Sequence, residues 1–312
     1  MTRKIIACLL ALGPAMLALG GCAPGLAMRG NGNIVERAFL LFPDDTDERF
    51  HLEIAGLNLQ GINLRTTIVI DENLERQVFI TTDENIAEQI SFQHSDDPGG
   101  NTIAIRSNRA RRLSPTELTI TTGLPITSLT VGGSWHIEHN CSRVTDFTAR
   151  VSGSARGAFN FDELEQLDMT ISGSGRVSVQ GEANAANLRI SGSGRIEAFG
   201  LAAQTADLNI SGSGRTELYV AEQLNATLSG SGRAAVRGTA DAANLRITGS
   251  GRVEAFELEA QTAEVTIGGS GRAELNVVEE LNARVSGSGR VIYDGNPRIS
   301  QQTSGSGRIT AR

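Results

Sequence analysis

The sequence predicts an all-β fold, a single-stranded β-helix (β-solenoid) with coils of about 18–20 residues. Three observations predict it. The first is a recurring pentapeptide, Ser-Gly-Ser-Gly-Arg, with perfect or near copies starting at Ser152, Ser172, Ser191, Ser211, Ser229, Thr248, Gly268, Ser286 and Ser304. The steps between them are 20, 19, 20, 18, 19, 20, 18 and 18 residues. The second is an alternation of period two around each copy. In the stretch 188–198, Leu188, Ile190, Gly192, Gly194, Ile196 and Ala198 fall on one face, and Arg189, Ser191, Ser193, Arg195 and Glu197 on the other. The third is a longer duplication. Residues 172–228 and 229–285, each 57 long, align without a gap at roughly 38 identical positions. Three coils copied as one block are tolerated only where each coil touches its neighbours alone.

Coil geometry follows from the period. About 19 residues at ~3.3 Å each give ~60 Å of chain, enough for three short sides and small turns. That is too short for a 34-residue helical repeat, and the L-x-x-L-x-L frame of a leucine-rich repeat is missing. Coils would pair in parallel ~4.8 Å apart, and a right-handed winding is expected. Each motif glycine lies on the inward row, at a corner with no room for a side chain. Of the 36 glycines, 18 fall inside the nine motifs. With 39% hydrophobic and only 4% aromatic residues, the core must be thin and aliphatic.

From the N-terminus, Arg3 and Lys4 precede an apolar stretch from Ile5 to Leu19, and Leu19-Gly20-Gly21-Cys22 matches a bacterial lipobox. Residues 1–21 thus read as a lipoprotein signal peptide and Cys22 as the lipidated first residue of the mature chain. The apolar run is short for a membrane span and holds Gly13 and Pro14. Ala23 stands where Asp would direct retention in the inner membrane, which points to the outer membrane. Cleavage takes the formal net charge from −7 to −9 by removing Arg3 and Lys4. Lys4 is the only lysine, so lysine-based covalent catalysis is excluded from the mature chain. An acidic molecule also argues against nucleic acid as partner. Cys8 leaves with the signal and Cys22 carries lipid, so Cys141 has no intrachain disulfide partner.

Residues 22–33 read as a flexible tether, and 34–312 as one continuous domain whose N-terminal coils are less regular. Short strand-like runs such as Phe50–Ile54, Thr67–Ile70, Gln77–Ile80 and Thr102–Ile105 are separated by turn signals, among them Asp83-Glu84-Asn85 and Asp96-Asp97-Pro98-Gly99-Gly100. Arg106, Arg109, Arg111 and Arg112 mark either a solvated loop or a contact with anionic headgroups. Gly132-Gly133-Ser134-Trp135-His136 reads as a degenerate first copy, with His136 in the arginine slot; regular coils begin there.

These residues resemble a bacterial family, the auto-transporter adhesin head domain, also called the GIN domain. The likeness rests on the Ser-Gly-Ser-Gly repeats, on Gly30-Asn31-Gly32-Asn33-Ile34-Val35, on Asp83-Glu84-Asn85-Ile86, and most specifically on 286–297 followed by Ser304-Gly305-Ser306-Gly307-Arg308. The resemblance implies a β-helical fold and an envelope location, and brings no catalytic residues. This chain departs from the family in carrying Arg where Asp often follows the Gly-Ser-Gly unit. Nor does it show a C-terminal membrane barrel.

The candidate site is an arginine ladder: Arg156, Arg176, Arg195, Arg215, Arg233, Arg252, Arg272, Arg290 and Arg308. Guanidiniums ~5 Å apart in water repel by about 0.8 kcal/mol per pair, before salt screening. Glu197, Glu217, Glu254 and Glu274 follow two residues after a ladder arginine, on the same face. The ladder is either an Arg/Glu lattice serving solubility and register or a stripe that binds a polyanion such as acidic polysaccharide. The coils of Arg176, Arg233 and Arg290 lack that Glu, so these three are expected to be least neutralised and to bind the anion. Phe199, Tyr219 and Phe256 fall four residues after a ladder arginine. If the strand runs on unbroken they point outward and can stack on sugars; a corner there would more simply turn them inward. His136 opposes His139 and Cys141 on a strand, so no metal site is expected without a bend. Asp162, Glu163, Glu165 and Asp168 read as an acidic loop. No cofactor is expected. The reading is a non-enzymatic envelope lipoprotein, adhesin-like or structural, held to the membrane by its N-terminal lipid, with anionic glycan or an envelope protein as partner. The alternatives are a carbohydrate-active β-helix enzyme and a periplasm-facing sensor or assembly partner.

Overall fold

Period-two alternation in the C-terminal half translates directly into inward and outward rows. The structure, a computed structural model, describes residues 28–40, 50–54, 58–59, 66–70, 77–97, 100–107, 112–114, 117–122, 126–133, 136–141 and 144–312. The signal segment and Cys22 lie outside them, as do the side chains of Arg106, Arg109, Arg111, Arg112 and Cys141. The chain forms two compact units, Met1–Asn140 and Cys141–Arg312.

In the second unit long bent strands follow one another: Arg156–Ile171, Arg176–Ile190, Arg195–Ile210, Arg215–Leu228, Arg233–Ile247, Arg252–Gly269 and Arg272–Gly287. Each pairs in parallel with the next. This is the predicted parallel β-solenoid with coils of about 19 residues. In the coil starting at Arg195, Ile196, Ala198, Leu201, Ala203, Ala206, Leu208 and Ile210 point inward and are buried. The alternation slips at 199–200 and 204–205, and the Ser-Gly-Ser step at 211–213 makes the third corner. Three slips define three sides.

The core is aliphatic, as the composition requires. Ile171, Ile190, Ile210, Leu228, Ile247 and Ile267 are in register and at most 1% exposed. Each such side chain contributes about 1.5–3 kcal/mol through burial. Aromatic packing is confined to the unit's start, where the Phe147 and Phe161 ring centroids lie 4.9 Å apart.

The glycine files explain the motif. At the corner the backbone stays in the ladder: Ser193 donates to the carbonyl of Gly173 (3.0 Å) and Arg195 to that of Gly175 (2.8 Å). A Cβ on Gly192 would come within 2.3 Å of the Gly173 carbonyl oxygen, and one on Gly212 or Gly230 would meet the preceding glycine in the same way. The second glycine of each motif makes room for something else. A Cβ on Gly214 would lie 2.5 Å from the Cγ2 methyl of Ile190, so a core side chain of the coil before fills that space.

The first unit is less regular. The strand Gln77–Asp83 runs antiparallel to both Ile34–Leu40 and Leu118–Thr122, while Thr66–Ile70 pairs parallel with Leu118–Thr122. The helix among its described residues is the single turn Glu84–Ala87. Residues 28–33 are bound, so the reading of 22–33 as a free tether does not extend through them. Gly32 donates its N–H to the buried Asp83 carboxylate at 2.7 Å. Asn85 accepts from the Asn31 N–H (3.1 Å) and donates to the Arg29 carbonyl (2.6 Å). A Cβ on Gly30 would lie 2.2 Å from Asp83 Oδ2, so a side chain there would displace the carboxylate that accepts from Gly32.

Candidate binding face

The side of the solenoid that follows the Ser-Gly-Ser corner carries three outward columns. In the first, Arg156, Arg176, Arg195, Arg215, Arg233, Arg252, Arg272, Arg290 and Arg308 stand in unbroken register. Each opens a strand, because the corner ends one residue before it. The second column runs Ser178, Glu197, Glu217, Ala235, Glu254, Glu274, Ile292. The third, less regular, holds Phe199, Tyr219, Arg237 and Phe256; Tyr219 pairs directly with Arg237, whereas Phe199 and Phe256 sit at register shifts.

Ion pairs link the first two columns along and across coils. Arg195 reaches Glu197 at 3.3 Å and Glu217 at 4.0 Å. Arg252 reaches Glu254 at 3.6 Å, and Arg272 is in direct contact with Glu274. The absence of a Glu on their own coils does not leave Arg176 and Arg233 uncompensated. Arg176 lies 3.9 Å from Glu197 and Arg233 lies 3.5 Å from Glu254, each on the following coil. Of the three arginines singled out by sequence, only Arg290 has no acidic partner among the described residues. Among the described residues Arg156, Arg215 and Arg308 also make no ion pair within 4 Å.

Phe199 and Phe256 point outward, not inward. Each continues the outward row of the strand before it, and the alternation breaks at the residue that follows. Residues 199–201 and 256–258 are the extra residues of a bulge, between the paired positions Ala198 and Ala202 and between Ala255 and Glu259. A guanidinium covers each ring: Arg237 lies 4.1 Å from the centroid of Phe199 and Arg312 lies 4.7 Å from that of Phe256. Such contacts contribute about 0.5–1 kcal/mol at exposed sites. Tyr219 is 39% exposed.

Between the two phenylalanines is a depression of about 250 Å³, floored by Ala235 and Val236 and edged by Glu217, Glu254, Glu274 and Arg237. It exists because Ala235 interrupts the glutamate column. The interruption is visible in the sequence as a missing Glu, whereas the space it opens depends on the coils stacked on either side.

The remaining candidates disperse. His136 faces outward and shares a hydrogen-bond contact with Glu138 at 3.3 Å, while His139 points into the core. Burial pushes the His139 imidazole down from 6.5 to about 4. No three His, Cys, Asp or Glu among the described residues are grouped to hold a metal ion. Asp162, Glu163, Glu165 and Asp168 lie in the strand Arg156–Ile171 and not in a loop, because the ladder continues through them with one register shift. Glu165 accepts from Asn184 at 2.7 Å and Asp168 lies 3.8 Å from Arg189.

The fold and this face define a parallel β-solenoid with a charged side-chain ladder. The profile of one family, described as "Putative auto-transporter adhesin, head GIN domain", matches residues 61–238 and 221–297. The chain belongs to that family, as its motifs suggested. A crystal structure of a "putative adhesin" from Parabacteroides merdae is similar at 15% identity, covering 92% of this chain and 99% of that one, with a TM-score of 0.52. A "putative lipid binding protein" from Parabacteroides distasonis aligns at 21% identity over 92% of this chain and 100% of its own, with a TM-score of 0.49. No curated protein matches. No helix among the described residues is long and apolar enough to cross a membrane.

Proposed function

We propose that this chain is a non-enzymatic, adhesin-like binding solenoid of the bacterial envelope, lipid-anchored at the outer membrane through Cys22, and that its arginine ladder recognises anionic glycan. The in-register column from Arg156 to Arg308 carries this reading. Nine arginines stand beside four glutamates, on a chain whose formal net charge is −7. The positive stripe therefore runs against the charge of the molecule, and its repulsion is only partly offset. A repeating polyanion presents charges at a regular spacing, as the ladder does, and would neutralise it. Arg290 and Arg308, adjacent and without acidic partners, supply the most available charge. Arg176 and Arg233 contribute less, because Glu197 and Glu254 already hold them.

Retention on immobilised polygalacturonate tests this reading. The full chain should be retained at low salt and released between roughly 0.1 and 0.3 M, where screening shortens to below ~10 Å. Arg290→Gln combined with Arg308→Gln should elute earlier than Arg176→Gln combined with Arg233→Gln. Equal elution of wild type and both double variants would remove the ladder from the account.

A further inference from the structure

We propose that the depression over Ala235 is a subsite for one neutral pyranose residue of a glycan. The inference rests on reading this face as glycan-binding and adds a second kind of recognition to it.

Four observations carry it. The site is a built gap in a regular lattice. Glu occupies the same column on the two coils before Ala235 and the two after it, so truncation to a methyl group opens room that the stack otherwise fills. The gap encloses about 250 Å³, just below the roughly 300 Å³ at which pockets for drug-sized ligands begin. It suits a single ring better than a chain. Phe199 and Phe256 line it at both ends; a guanidinium covers one face of each ring, and the ring atoms that line the depression offer an apolar wall to the C–H groups of a sugar. Finally, the polar groups at its edge are planar and already compensated. Glu217 has Arg195, Glu254 has Arg233 and Arg252, Glu274 has Arg272, and Glu257 is 2.8 Å from Arg237.

That compensation selects the ligand class. An anion would meet four carboxylates. A cation would find each carboxylate's charge already taken by a guanidinium. A neutral polyol loses little on either count: its hydroxyls donate to the spare carboxylate lone pairs and accept from the Arg237 guanidinium. The ladder would then read charged residues of a heteroglycan while the depression reads a neutral one in the adjacent column.

The test titrates the full chain with the methyl glycosides of glucose, galactose, mannose and N-acetylglucosamine, followed by saturation-transfer NMR. Ala235→Glu is the informative variant. It fills the gap with the residue that four neighbouring coils carry, and it gives Arg215 an acidic partner, so the fold should hold. Phe256→Leu removes one aromatic wall. At least one glycoside should bind wild type, at least tenfold more weakly to each variant, while Ala235→Glu keeps its retention on polygalacturonate. Binding of none of the four, with retention intact, would overturn the subsite and leave the anion reading standing. Undiminished glycoside binding by Ala235→Glu would overturn it too. So would binding of methylguanidinium in place of the glycosides, which would make the depression a cation site.

Discussion

Gly212 sits directly on Gly192: a Cβ on the later residue would come 2.2 Å from the carbonyl oxygen of the earlier one. The same oxygen accepts the Ser213 N–H at 3.0 Å. A methyl group and that hydrogen bond cannot both be accommodated, and neither the backbone above nor the one below can yield without shifting its coil. Gly212→Ala should therefore destabilise by about 3 kcal/mol, at the upper end of overpacking costs. Gly268 makes the matched control, since the nearest atom to a Cβ there is Ser286 Oγ at 3.7 Å. Gly268→Ser should leave the urea midpoint within experimental error of wild type. Equal midpoints for both variants would mean that the file of glycines is not a steric requirement.

Thr216 breaks the inward row one residue after the ladder. It is 0% exposed, stands in register between Ile196 and Ala234, and its hydroxyl has no hydrogen-bond partner. An unsatisfied buried hydroxyl costs about 1–3 kcal/mol. Valine has the same shape without the polar atom. Thr216→Val should raise stability by about 1 kcal/mol in equilibrium unfolding, and a loss of stability would reveal a partner for the hydroxyl.

Periodicity made the second unit legible because a strand's alternation and a coil's length are local properties. Ile190 and Arg195 could be placed on opposite faces from the sequence alone, and both positions agree with the structure. What was misplaced depended on contacts between coils. Phe199 looked like a corner residue, but the three-residue bulge that moves the corner beyond it shows only when register against the next coil is known. Arg176 looked unpaired because its partner, Glu197, is 21 residues away, across the stack and not along the strand. The depression over Ala235 is a property of five coils together. In the first unit, the Asn31–Asn33 and Asp83–Asn85 segments both stand out as motifs. Nothing in their one-dimensional spacing told that the second holds the first through Asp83 and Asn85.

His139 makes the stability of the first unit sensitive to acid. Its side chain is fully buried on the strand His136–Cys141, and desolvation disfavours the imidazolium, lowering its pKa from 6.5 to about 4. Above pH 6.5 the ring is neutral in both folded and unfolded chains, so its titration contributes nothing. As pH falls from 6.5 towards 4, the unfolded chain takes up a proton that the folded one refuses. Stability is then lost by about 1.4 kcal/mol per pH unit, approaching about 3 kcal/mol in all near pH 4. The substitution His139→Leu keeps an apolar group of similar size at the position and removes the proton-binding site. The variant's absolute stability can move either way, because the imidazole makes contacts of its own. The informative quantity is the difference in unfolding free energy between pH 7 and pH 4.5. That difference should shrink by about 2 kcal/mol in the variant relative to wild type. An unchanged difference would place the acid sensitivity in groups other than His139.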